Sequence, residues 1–164
     1  MSRLASRYGW WSLVLGLVFF PAKVFALFIS MSFQSIPGSV ALTGAGTTNA
    51  ALNFGTVSAF ETVGAGINRT VAASSYTIST QFGVRGSHVL GSLVSPNYTL
   101  RARLQNPHAL TWRVDGVTMS TAATTVATSQ PYGTTVPHTL SFVVPFSQPA
   151  GMVTTVLEVT AIAN

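Results

Sequence analysis

The stretch Leu110-Thr-Trp-Arg-Val-Asp-Gly-Val-Thr-Met-Ser120 constrains this chain more than any other. Trp112 and Val114 alternate with Thr111 and Arg113, and Val117 and Met119 alternate with Thr118 and Ser120. Asp115-Gly116 lies between the two halves. An Asp-Gly pair flanked by alternating apolar residues predicts a two-residue β-hairpin. Its type I′ turn needs positive φ at both central positions, which Gly adopts freely and Asp tolerates. Turn chemistry alone accounts for Asp115. The same period of two recurs along most of the chain, so the prediction is an all-β domain.

Strand patterns follow one another in order. Ile29, Met31 and Phe33 alternate with Ser30, Ser32 and Gln34, ahead of Pro37-Gly38. Val40 and Leu42 begin a short strand, and Ala51–Val57 reads as another. Ser58–Asn68 has no clear period and carries Gly64 and Gly66, which mark a loop. Tyr76, Ile78, Thr80, Phe82 and Val84 share one strand face, and Tyr98, Leu100, Ala102 and Leu104 share another. Gly86–Asn97 reads as a loop, and Ser120–Thr135 as a Thr/Ser/Ala segment with a weak strand at Thr124–Thr128. Leu140, Phe142 and Val144 point inward, and Val153, Thr155, Leu157, Val159 and Ala161 give a long last strand. No helical period separates these strands, and parallel pairing would need crossovers. An antiparallel sandwich follows.

The first residues have a different character. Arg3 and Arg7 precede the apolar run Trp10–Phe20, and Val24-Phe25-Ala26 offers a cleavage site. Basic start, apolar run and small-residue exit describe a secretory signal helix over residues 1–26. The alternative is an uncleaved membrane anchor from Trp10 to Ile29. That span would carry Pro21 and Lys23, and a central Lys costs about 2.5–3.5 kcal/mol. Cleavage leaves residues 27–164: an N-terminal extension and linker over 27–48, then a sandwich domain over 49–164. The chain is expected to be exported, to the periplasm, cell surface or extracellular space, and to meet a membrane only through an uncleaved signal segment.

Composition excludes several functions. Cysteine is absent, so neither disulfides nor Cys-based metal sites are expected. Arg3, Arg7 and Lys23 carry three of the eight cations; the five that remain stand against three acids, for a net of +2. That is too weak and scattered for nucleic acid, which needs a clustered basic face. Arg101, Arg103 and Arg113 could form an outward basic stripe on neighbouring strands, read more simply as a face that keeps a sheet soluble. Glu61, Asp115 and Glu158 sit in a loop, in a turn and on an outward strand face, with no pairing for glycoside hydrolysis. His88, His108 and His138 are far apart, whereas a zinc site needs converging ligands. No Gly-x-Ser-x-Gly elbow or phosphate-cradling Gly motif exists. The expectation is no enzyme, no cofactor and no metal.

Leu52-Asn-Phe-Gly-Thr-Val57, Tyr76–Gln81, the Trp112–Ser120 hairpin and Pro149–Thr160 carry a resemblance. The chain resembles pilin-type fimbrial subunits assembled by the chaperone–usher route, and more loosely the spore-coat U-like domains. Two features depart from that pattern: the chain ends Ala-Ile-Ala-Asn without a terminal aromatic residue, and it has no cysteine pair. The resemblance implies an immunoglobulin-like sandwich lacking one strand, which an N-terminal extension from the next subunit fills. Ile29, Met31 and Phe33 occupy the place of that extension, with alternate side chains set for pockets. It implies a secreted structural subunit of a fimbrium, fibre or coat, serving cell adhesion, whose partners are further copies or related subunits and a periplasmic chaperone. The alternatives are a monomeric exported carbohydrate-binding module, with Gly86–Asn97 and Ser120–Thr135 as contact loops, and a membrane-anchored β domain.

Overall fold

The computed structural model describes residues 29–88 and 96–164. The expected signal helix over 1–26 and the middle of the Gly86–Asn97 loop lie outside the described residues. Every regular element among the described residues is a strand: β1 (Ile29–Gln34), β2 (Leu42–Thr43), β3 (Ala51–Leu52), β4 (Asn68–Val71), β5 (Ser75–His88), β6 (Asn97–Leu104), β7 (Thr111–Val114), β8 (Val117–Thr118), β9 (Thr124–Pro131), β10 (Thr135–Pro145) and β11 (Leu157–Ala163).

All strand pairs are antiparallel. The larger sheet runs β1-β5-β10-β7-β8, with β4 also on β5; the second runs β11-β6-β9; β2 and β3 form a small ribbon. Strand β5 is the spine. Its residues 75–85 pair with β10 along one edge. On the other edge β4 covers residues 76–79 and β1 covers 83–88.

The alternation seen in the sequence sets the core. Ile78, Phe82 and Val84 of β5, Tyr98, Leu100, Ala102 and Leu104 of β6, Trp112 and Val114 of β7, and Leu140, Phe142 and Val144 of β10 are all buried in one cluster. Both sheets therefore contribute to a single core. Trp112 packs on Phe142 with ring centroids 4.6 Å apart, and Phe54 meets Phe142 edge-on at 5.1 Å. Such aromatic pairs add about 0.5–1.5 kcal/mol beyond area burial. Gly86 makes room for Tyr98: a Cβ there would stand 2.6 Å from the Tyr98 ring.

The central hairpin forms as the sequence predicts. Val114 pairs with Val117, and Asp115 and Gly116 have φ of 49° and 80°. Elsewhere boundaries move. Ala51–Val57 shortens to β3, because Asn53 Oδ1 accepts the Gly55 amide at 2.8 Å in a local turn that competes with a ladder. The irregular stretch before Asn68 passes into β4, whose residues carry no apolar alternation. The last strand begins at Leu157 rather than Val153, since no described strand pairs with residues 153–156.

Candidate functional site

Arg101, Arg103 and Arg113 do not line up as a basic stripe, the less simple of the two readings. Arg101 and Arg103 lie on β6 and Arg113 on β7, and those strands belong to different sheets. Arg103 also spends its charge locally, with Nη2 2.6 Å from Glu158 Oε2, while Arg101 Nη2 donates to the Ala123 carbonyl at 2.6 Å.

Asp115 does more than turn the chain. Its Oδ1 accepts the Thr139 amide at 2.7 Å, and its Oδ2 lies 2.6 Å from His138 Nδ1. The Asp115 amide donates to the Thr139 carbonyl at 2.9 Å. His138 is 2% exposed and its ring lies 5.8 Å from that of Phe82. This pair fastens the hairpin to β10. The register explains why it was hidden: Leu140 pairs with Val114, so His138 and Thr139 sit directly beyond the end of β7, against the turn. The sequence signal was a His on the inward parity of β10, 23 residues from its partner. Among the described residues Nε2 is buried with no hydrogen-bond partner. His108 is also engaged locally: its Nδ1 accepts the Leu110 amide at 3.0 Å, and its ring meets Trp112 edge-on. No cluster of three or more His, Asp and Glu residues converges among the described residues.

The feature that stands out is a seam between the two sheets. It is bordered by β1 at the end of the larger sheet and β11 at the end of the smaller, and these two strands lie against each other. Ile29, Met31 and Phe33 all fall on β1. They pair with His88, Gly86 and Val84 of β5, so in the single chain the leading ribbon is docked on its own sheet. Phe33 packs 6.1 Å from the Phe82 ring, and Met31 also packs against the core. Among the described residues the ribbon pairs with a strand along one edge, that of β5. On its other edge the Phe33 amide donates to the Thr47 carbonyl at 2.8 Å, and the Phe33 carbonyl accepts the Gly46 amide at 2.6 Å.

Strand β11 pairs with β6 from Leu157↔Leu104 to Ala163↔Tyr98, without a break. No described strand pairs with its other edge. Its inward residues Leu157, Val159, Ala161 and Ala163 stay half-buried, whereas all four inward residues of the neighbouring β6 are buried. Ile162 is exposed. The core is thus incompletely covered along the seam.

At one end of the seam Tyr98, opposite Ala163, is fully buried, with its ring 5.1 Å from Tyr132. Burial pushes the Tyr98 phenol above its ordinary value of 10.0; the Gly86 backbone draws it partly back, and Tyr132 adds to the rise. Tyr132 is raised by burial.

Compared with protein-family models, curated proteins and solved structures, the chain matches none. The functional reading therefore rests on the geometry of the seam and on the chemistry of the chain.

Proposed function

We propose that this chain is a non-enzymatic, exported structural subunit of a surface fibre or coat that assembles by strand exchange. The finer description of its fold belongs to this reading: an immunoglobulin-like sandwich that is one strand short beside β11. The observation that carries it is the outer edge of β11, a seven-residue strand with an unbroken ladder on one side and no described strand on the other.

An open, regular, apolar edge is a template for another chain, and proteins normally blunt such edges with Pro, bulges, Lys or a covering loop. Among the described residues β11 carries no Pro, no Lys and no register slip. β-Augmentation supplies affinity through main-chain hydrogen bonds and specificity through pockets for alternate side chains. The leading ribbon has the matching pattern, with Ile29, Met31 and Phe33 on one side and Ser30, Ser32 and Gln34 on the other. In an exchanged array the ribbon of one copy leaves its own β5 and enters the slot of the next, with β11 on one wall and β5 on the other. Backbone bonds lost at home are regained in the neighbour, and the half-buried seam becomes covered. A periplasmic chaperone would shield the same edge before assembly.

Sizing of the mature chain tests this reading. Ile162→Lys places a charge on the outer strand and should yield monomer where the parent chain forms larger species. Met31→Asp should do the same from the donor side. Monomer for the parent chain at every concentration would overturn the proposal.

A further inference from the structure

The connection from β10 to β11 holds a second feature. Met152, Val153 and Val156 are 93%, 40% and 52% exposed. The run Val153-Thr-Thr-Val156 consists of four consecutive β-branched residues, the type that favours strands. Val153 and Thr155 share the parity of Leu157, Val159 and Ala161, so the strand pattern continues backwards through them. Yet residues 151–156 form no strand and enter no ladder. The Val156 carbonyl, accepting the Gln105 amide at 2.9 Å, is the one backbone hydrogen bond this run makes among the described residues. Sequence preference and observed state disagree here, and what is missing is a partner.

We infer that Met152–Val156 is a latent extension of β11, which becomes strand when an extended ribbon from a second copy of this chain pairs along the outer edge of β11. The inference rests on the strand-exchange reading and adds the extent of the contact. The occupant is a second copy because the segment runs directly into the edge on which that reading places the neighbour's ribbon. Among the described residues the backbone of 152–155 has no hydrogen-bond partner to lose, and the side chains of Met152 and Val153 already face water. Pairing therefore gains ladder bonds and covers Met152 and Val153 together. A ribbon that covers both segments is longer than the six residues of β1, so it includes sequence beyond Ile29–Gln34.

Hydrogen exchange on the full mature chain, monomeric and assembled, tests the inference. In the monomer, amides 153–156 should exchange quickly while those of β11 that pair with β6 are protected. In the assembled form, protection should spread back to Val153. Val153→Pro supplies the second readout: thermal unfolding of the monomer should be unchanged, and assembly should weaken by roughly tenfold, the equivalent of one or two lost ladder bonds. Assembly with new protection confined to Leu157–Ala163, or a Val153→Pro chain that assembles like the parent, overturns the extension and leaves strand exchange standing. Absence of any assembly overturns both.

Discussion

The two outer strands of the three-stranded sheet share β6 as their neighbour, have no described strand on the other side, and differ in regularity. Along β9 the register slips twice, between Tyr98 and Leu100 and again between Leu100 and Arg101. Ser129 is forced to a φ of 53°, and Pro131 ends the strand without an N–H. Along β11 seven consecutive pairs run without a slip, and the single charge, Glu158, is tied back to Arg103. Bulges, a left-handed residue and Pro are what sheets use to discourage further pairing. The chain spends these devices on one edge and omits them on the other. The difference teaches that the openness of β11 is not a general looseness of the sheet.

The largest expected effect comes from the strand the two edges share. Leu100 is fully buried and faces Ala161 on one side and Ala127 on the other. Leu100→Ala should cost about 2–5 kcal/mol in denaturant unfolding. Hydrogen exchange should show both edges loosening together; loss on one edge alone would break the symmetry of the comparison. Asp115→Ala lies away from both edges. It leaves the buried His138 without its partner, and about 1–3 kcal/mol of stability should go. Assembly per folded molecule should stay as in the parent, and a change in it would mean that the β11 edge depends on the hairpin.

Tyr98 reports on the end of β6 between the two edges. Its folded-state pKa lies above 10.0, so the native chain holds the phenolic proton more tightly than the unfolded chain does. That contribution is fully present below the ordinary value and declines as pH rises through the folded one. Stability should therefore fall on the alkaline side, and Tyr98→Phe should flatten that limb of the curve. Ser129→Gly relieves the left-handed residue of β9 and should stabilise by about 1 kcal/mol. Destabilisation would show that the Ser129 side chain does more than tolerate the bend. The smallest effect on stability belongs to Ile162→Lys, within about 0.5 kcal/mol by thermal unfolding.

Much of this fold was legible because the period of two is strict where both sheets face the core. The inward sets of β5, β6, β7 and β10 followed from alternation alone, as did the Asp115-Gly116 turn. What alternation could not give was partnership. Arg101 and Arg113 look like neighbours in the sequence pattern, but the chain changes sheets between β6 and β7. Strand β4 was missed because Asn68-Arg-Thr-Val71 has no apolar period and exists through its pairing with β5. The start of the last strand was placed too early for the converse reason: residues 153–156 have the pattern and lack the partner. The tie between Asp115 and His138 needed a cross-strand register that no local motif encodes. Of the candidate site, the ribbon Ile29–Phe33 was visible as a pattern. Its docking on β5 and the unpaired side of β11 were not, since both depend on which strand ends beside which.

The most direct test uses the absence of cysteine from the chain. Ser30 on β1 and Thr160 on β11 are both exposed, so each can be replaced by cysteine with little effect on packing. Ser30→Cys and Thr160→Cys chains, and in a second pairing Ser30→Cys and Ile162→Cys, are mixed under mild oxidation and separated by mass. Strand exchange predicts mixed disulfide dimers in clear excess over either homodimer in at least one pairing, because β1 of one copy is brought against β11 of another. Monomer throughout, or a mixture in the proportions of random collision, would contradict it.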